Sequence, residues 1–62
     1  NNNMTNILMI DGKIYIGIGD GDWLGVFHRV LKEGYHSGYT TKDRRGRYWL
    51  VCEKETVLEK NT

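Results

Sequence analysis

The chain reads as a small two-layer α+β domain of ββαββ order, with antiparallel hairpins packed on one amphipathic helix. Three features of its 62 residues carry that reading. An Asp11-Gly12 pair separates two apolar runs, large apolar side chains recur at helical spacing from Trp23 onward, and an Asp43-to-Gly46 turn lies inside a second β-rich, aromatic run.

Asp-Gly between strand-like runs is a strong hairpin signal, because a type I′ turn needs positive φ at both central residues and these two tolerate it. With Ile10 opposite Lys13, the residues Ile7, Met9, Ile14 and Ile16 share a wholly apolar face that Ile18 extends. Leu8, Ile10, Tyr15 and Gly17 fall on the other, mixed face. Gly17, Gly19 and Gly21 then interrupt the strand, and Asp22 is placed to cap a helix predicted over Trp23 to Glu33 and ended by Gly34. Trp23, Leu24, Phe27, Val30 and Leu31 make its apolar stripe, with His28, Arg29, Lys32 and Glu33 mostly off it. Gly25 inside the helix costs up to ~1 kcal/mol relative to alanine, a loss that close approach of helix to sheet would explain.

The second hairpin is predicted over Tyr39 to Val51. Asp43-Arg44-Arg45-Gly46 has the pattern of a type I turn followed by a left-handed glycine, with a two-residue Arg45-Gly46 turn as the competing register. In the first register Arg47, Trp49 and Val51 share a face with Tyr39 and Thr41, while Tyr48, Leu50 and Cys52 share the other with Thr40 and Lys42. After Cys52, the stretch from Glu53 to Glu59 either continues the strand or, from Thr56 to Glu59, forms the capping box of a short helix. Ile7, Met9, Ile14, Ile16, Trp23, Phe27, Val30 and Leu31 are the predicted main core. There is no proline, linker or repeat, so residues 4–62 form a single predicted domain. Asn1 to Asn3 precede Met4, which reads as the natural start, and the three asparagines read as an extraneous extension.

Composition narrows the function classes. One cysteine cannot form an internal disulfide, which fits a reducing compartment. No apolar run approaches the roughly 18 to 20 residues that span a bilayer, and no secretory signal pattern is present, so the expected location is cytoplasmic with no membrane partner. Nine Lys and Arg against eight Asp and Glu give +1, too even for attraction of the whole molecule to nucleic acid. A chain this short has a marginal core. Exposed sheet edges then favour a symmetric homodimer.

Site chemistry is sparse. Gly17-Ile-Gly19-Asp-Gly21-Asp22 precedes a helix as a phosphate loop would, but its aspartates would repel a phosphate and the lysine of such loops is missing. As a divalent-cation site the pair lacks further oxygen ligands, leaving a strand-to-helix connection with a capping aspartate. His28, His36 and Cys52 have the atoms for zinc without its spacing or a fourth ligand. They read as surface or structural histidines and a buried strand cysteine, with His36 in a connection from Gly34 to Gly38. The carboxylates cluster at turns, caps and the C-terminal stretch, and so small a domain has little room for a water-excluding pocket. The expectation is a non-enzyme with no cofactor and no metal.

The most specific functional candidate is the second hairpin tip. Lys42, Arg44, Arg45 and Arg47 fall within six residues, opposed only by Asp43, with Tyr39, Tyr48 and Trp49 around them. Such a ribbon can contact phosphates, guanine edges or an acidic protein surface, and exposed rings can stack on bases. It can also be a solvated tip whose charges discourage strand aggregation. Over about one hairpin it resembles the arm-site-binding sheets of phage integrases, a likeness too generic to assign a family. The wealth of tyrosine and tryptophan, residues that dominate binding hot spots, favours a protein partner. The expected function is that of a small non-enzymatic regulator or inhibitor acting by surface occlusion, of the kind phages and mobile elements encode. The alternative is a DNA- or RNA-binding module using Lys42 to Arg47.

Overall fold

A computed structural model of the protein describes residues 5–54; the readings for residues 1–4 and 55–62 lie outside them. The element order is β1 (Ile7–Ile10), β2 (Lys13–Gly17), α1 (Trp23–Lys32), β3 (Tyr35–Lys42) and β4 (Tyr48–Lys54). The α+β class and the ββαββ order are as the sequence predicts. All four strands join one antiparallel sheet of order β1-β2-β4-β3, and the helix packs on one of its faces.

The first hairpin closes as expected. Asp11 has φ 53° and Gly12 φ 77°, the two positive values of a type I′ turn. Ile10 faces Lys13, and Ile7 and Met9 face Ile16 and Ile14. The second hairpin adopts the register set by Asp43 and Gly46: Gly46 N–H donates to the Asp43 carbonyl at 3.0 Å, Gly46 has φ 85°, and Thr41 faces Trp49. Its first strand begins earlier than predicted, at Tyr35. The stretch from Gly34 to Gly38 is therefore mostly strand, with His36 exposed in β3 and a register shift between Ser37 and Tyr39 around Gly38.

Joining the hairpins through β2 and β4 decides the core. Ile14 faces Cys52 and Ile16 faces Leu50. Ile14, Ile16, Val26, Val30 and Cys52 form the buried cluster between sheet and helix, and Trp23, Phe27, Tyr35 and Leu50 pack against it. Three predicted core residues are corrected. Ile7, Met9 and Leu31 are exposed, Met9 at 64%. The hairpin face assignment holds, but the helix lies over β2 and β3, and β1 is the outer strand beyond its reach. Val26 takes the central place in the helix that Leu24 and Leu31 do not.

The helix entry explains two further sequence features. Asp22 caps α1, its carboxylate accepting from Gly25 N–H at 3.3 Å, while Asp20 accepts from Asn6 Nδ2 at 2.8 Å and its carbonyl from Thr5 Oγ1 at 2.9 Å. The two aspartates thus build the connection from β2 to α1. A side chain at position 25 would collide with the Asp22 carboxylate. Gly25 leaves room for its own cap, and no part of the sheet comes as close to it.

Two outcomes test this packing. Ile16→Asp would bury an unpaired charge at a site with no exposure, a loss comparable with the few kcal/mol that hold so small a domain; its circular dichroism should be that of an unfolded chain at 25 °C. Gly25→Ala gains ~1 kcal/mol of helix propensity but displaces a cap of about the same worth, leaving the melting temperature nearly unchanged. In an Asp22→Ala background the same substitution should raise it.

Candidate functional site

The face of the sheet opposite the helix carries Leu8 and Ile10 from β1, Lys13 and Tyr15 from β2, Trp49, Val51 and Glu53 from β4, and Tyr39 and Thr41 from β3. No described element covers it. Even so, Trp49 is only 7% exposed and Val51 is fully buried. Neighbouring side chains on the sheet supply the cover. Arg47 places its guanidinium 5.6 Å from the Trp49 ring centre, and Lys13 lies 5.9 Å from that of Tyr39 and 3.7 Å from Glu53.

Asp43 organises the tip. One carboxylate oxygen accepts the backbone N–H of Arg45 and of Arg47, each at 2.9 Å. The other accepts the indole N–H of Trp49 at 3.0 Å and lies 3.4 Å from Arg47 Nε. These interactions stabilise the ionised form, so the pKa of Asp43 falls from 3.8 to about 2, with the Trp49 indole as the largest cause and the Arg47 backbone N–H next. A single side chain therefore shapes the turn, holds the tryptophan against the sheet and engages one of the four basic residues.

The predicted site residues separate into different roles. Arg44 and Arg45 are exposed at the turn and form no ion pair among the described residues. Arg47 is tied to Asp43 and stacked on Trp49. Lys42 and Tyr48 face each other across the hairpin, with the Lys42 ammonium 5.6 Å from the ring centre, and both belong to the helix side of the sheet. Tyr39 is exposed on the open side. Tyr39, Tyr48 and Trp49 therefore do not form one exposed aromatic platform: two lie on opposite faces and the third is buried. Trp49 is not an exposed ring: its indole is drawn down by Asp43 and roofed by Arg47.

What the sequence reading missed is the apolar half of the surface. A groove of about 380 Å³ runs over the open face, lined by Leu8, Ile10, Tyr15 and Thr41 with Lys42, Asp43, Arg47 and Trp49 at its tip end. The signal was present in Leu8, Ile10 and Tyr15, which share the second face of the first hairpin. Only the placement of β4 beside β2 brings that face next to the basic tip.

Other chemistry is limited. The two aspartates of the glycine-rich connection are engaged in capping and tethering, as described. Among the described residues no group of three His, Cys, Asp or Glu side chains is placed to hold a metal, and no helix is long and apolar enough to cross a membrane. His28 is exposed beside Phe27. Cys52 is buried in the core, where desolvation raises its thiol pKa and disfavours the nucleophilic thiolate. No protein-family profile matches the chain, and no curated protein or solved structure is significantly similar to it.

Asp43 gives a pH signature. Its folded-state pKa is depressed, so its contribution to stability is complete above 3.8 and is lost as pH falls from 3.8 toward about 2. Asp43→Asn keeps an acceptor for the turn but loses the charge and one of its two acceptor oxygens. The difference in urea midpoint between parent and variant should therefore be largest at neutral pH and shrink across that window, with Trp49 fluorescence reporting a wetter indole in the variant.

Proposed function

We propose that the protein is a non-enzymatic binding module that occludes a surface of a protein partner, using the open sheet face and the basic tip together. The groove carries this proposal: its floor is apolar, and its tip end is edged by the guanidinium of Arg47, with Arg44 and Arg45 beyond. A partner segment that offers a large apolar side chain beside one or more carboxylates would satisfy both parts. Apolar floor and cationic edge are the ingredients of a desolvated anchor within a steering rim.

Nucleic acid is the weaker fit for a geometric reason. Single-stranded bases need successive exposed rings along one track, and here Tyr39 and Tyr48 lie on opposite faces while Trp49 is buried. The basic tip alone offers phosphate contacts without readout of the bases.

The deciding measurement is capture of partners from cells that encode the protein, before and after nuclease, with the parent and with Arg44→Ala/Arg45→Ala. Both arginines lie outside the turn's hydrogen-bonding side chains, so the double variant should keep the parent's melting curve. A protein retained after nuclease, bound at least ~tenfold more slowly by the double variant and with little change in dissociation, supports the proposal. Loss of all binding on nuclease treatment, with a steep salt dependence in the parent, would replace it with phosphate recognition.

A further inference from the structure

We infer that β1 is a self-pairing edge: two copies of the chain join antiparallel through Ile7–Ile10, about a twofold axis at Leu8, to make one continuous eight-stranded sheet. The inference stands independently of the proposed protein partner. In the β1–β2 ladder, Gly17 N–H donates to the Asn6 carbonyl at 2.8 Å, and Ile10 and Lys13 flank the two-residue turn. Hydrogen bonding alternates along an antiparallel pair, so Asn6, Leu8 and Ile10 direct their backbone groups at β2. Ile7 and Met9 direct theirs outward, where they meet no strand among the described residues.

The side chains on this edge have none of the devices that blunt exposed strands. Ile7, Leu8, Met9 and Ile10 are 49, 45, 64 and 48% exposed, so the strand is open on both faces as well as along its rim. The opposite edge differs: β3 carries the irregularity between Ser37 and Tyr39 and ends in Lys42 at the basic tip. Bulge and charge protect β3, and neither protects β1.

Charge matching and side-chain matching select a second copy as the occupant. Thr5 to Ile10 contains no charged side chain, so two such strands meet without repulsion, and a net charge of +1 adds little. With the axis at Leu8, Ile7 of each copy faces Met9 of the other, Leu8 faces Leu8, and Ile10 faces Asn6. Asp11 falls opposite Thr5, not opposite another carboxylate. Four backbone hydrogen bonds form between the outward groups of Ile7 and Met9. Both helices lie on one side of the sheet, and the two open faces become continuous.

The register can be tested by cross-linking and mass. Leu8 would occupy a non-hydrogen-bonded pair with Cα atoms about 4.5 Å apart, inside the range a disulfide spans. Ile10 and its copy would be about 14 Å apart, four residues along the strand. Leu8→Cys should therefore form a disulfide-linked dimer under mild oxidation and Ile10→Cys should not, with the buried native Cys52 silent in both. Sedimentation equilibrium of the parent should give twice the chain mass at concentrations up to about 1 mM. Met9→Lys, at an exposed position, should keep the parent's circular dichroism and weaken self-association at least ~tenfold. A parent that stays monomeric at that concentration overturns the inference. So does an Ile10→Cys variant that cross-links as readily as Leu8→Cys, or a Met9→Lys variant that associates like the parent.

Discussion

Everything in this domain depends on the pairing of β2 with β4. Each hairpin is local, built from a turn and its flanking residues, and an isolated hairpin is marginally stable in water. Setting Ile14 against Cys52 and Ile16 against Leu50 makes both strands interior, places β1 and β3 at the edges, and gives α1 a surface broad enough to cover. The complete burial of Ile16, Val51 and Cys52 follows from that single junction. It also carries the largest loop-closure cost in the sheet, since it closes a loop of more than thirty residues that contains the helix.

The junction accounts for what was legible in the sequence and what was not. Turns are chosen by two to four neighbouring residues, so Asp11-Gly12 and Asp43 to Gly46 could be read with their registers, and the helix could be read from its cap and its apolar spacing. Strand order is a property of the whole chain. Without it, Ile7 and Met9 share a face with Ile14 and Ile16 and look equally buried, although only the latter two lie beneath the helix. The same gap hid the groove, because Leu8, Ile10 and Tyr15 become neighbours of Thr41 and Trp49 only after β4 docks. The earlier start of β3 was obscured by Gly38, which interrupts a strand pattern but in the folded sheet sits at an irregularity that keeps pairing on both sides.

Trp49 illustrates why residue type alone misplaces a binding site. A tryptophan among arginines on a hairpin invites the role of an exposed anchor. Asp43, six residues earlier, instead takes its indole N–H, and Arg47 covers its ring. The basic cluster is thereby divided: Arg47 is spent on the fold, and Arg44 and Arg45 are left to solvent. A carboxylate held near pKa 2 keeps this arrangement charged throughout the physiological range. The tip is accordingly a fixed platform that presents two exposed cations.

The two sheet edges differ in character. A chain with a limited core gains stability by covering apolar surface outside the monomer, and β1 offers such surface on both faces with no charge to oppose it. The edge formed by β3 ends in the basic tip and remains free when two β1 strands meet, because the sheet order puts β2 and β4 between them. Joining at β1 would therefore carry the two tips to opposite ends of one continuous open face. A partner that contacted both would bind with the advantage of bivalence, and weak local contacts at each groove would suffice for a stable complex.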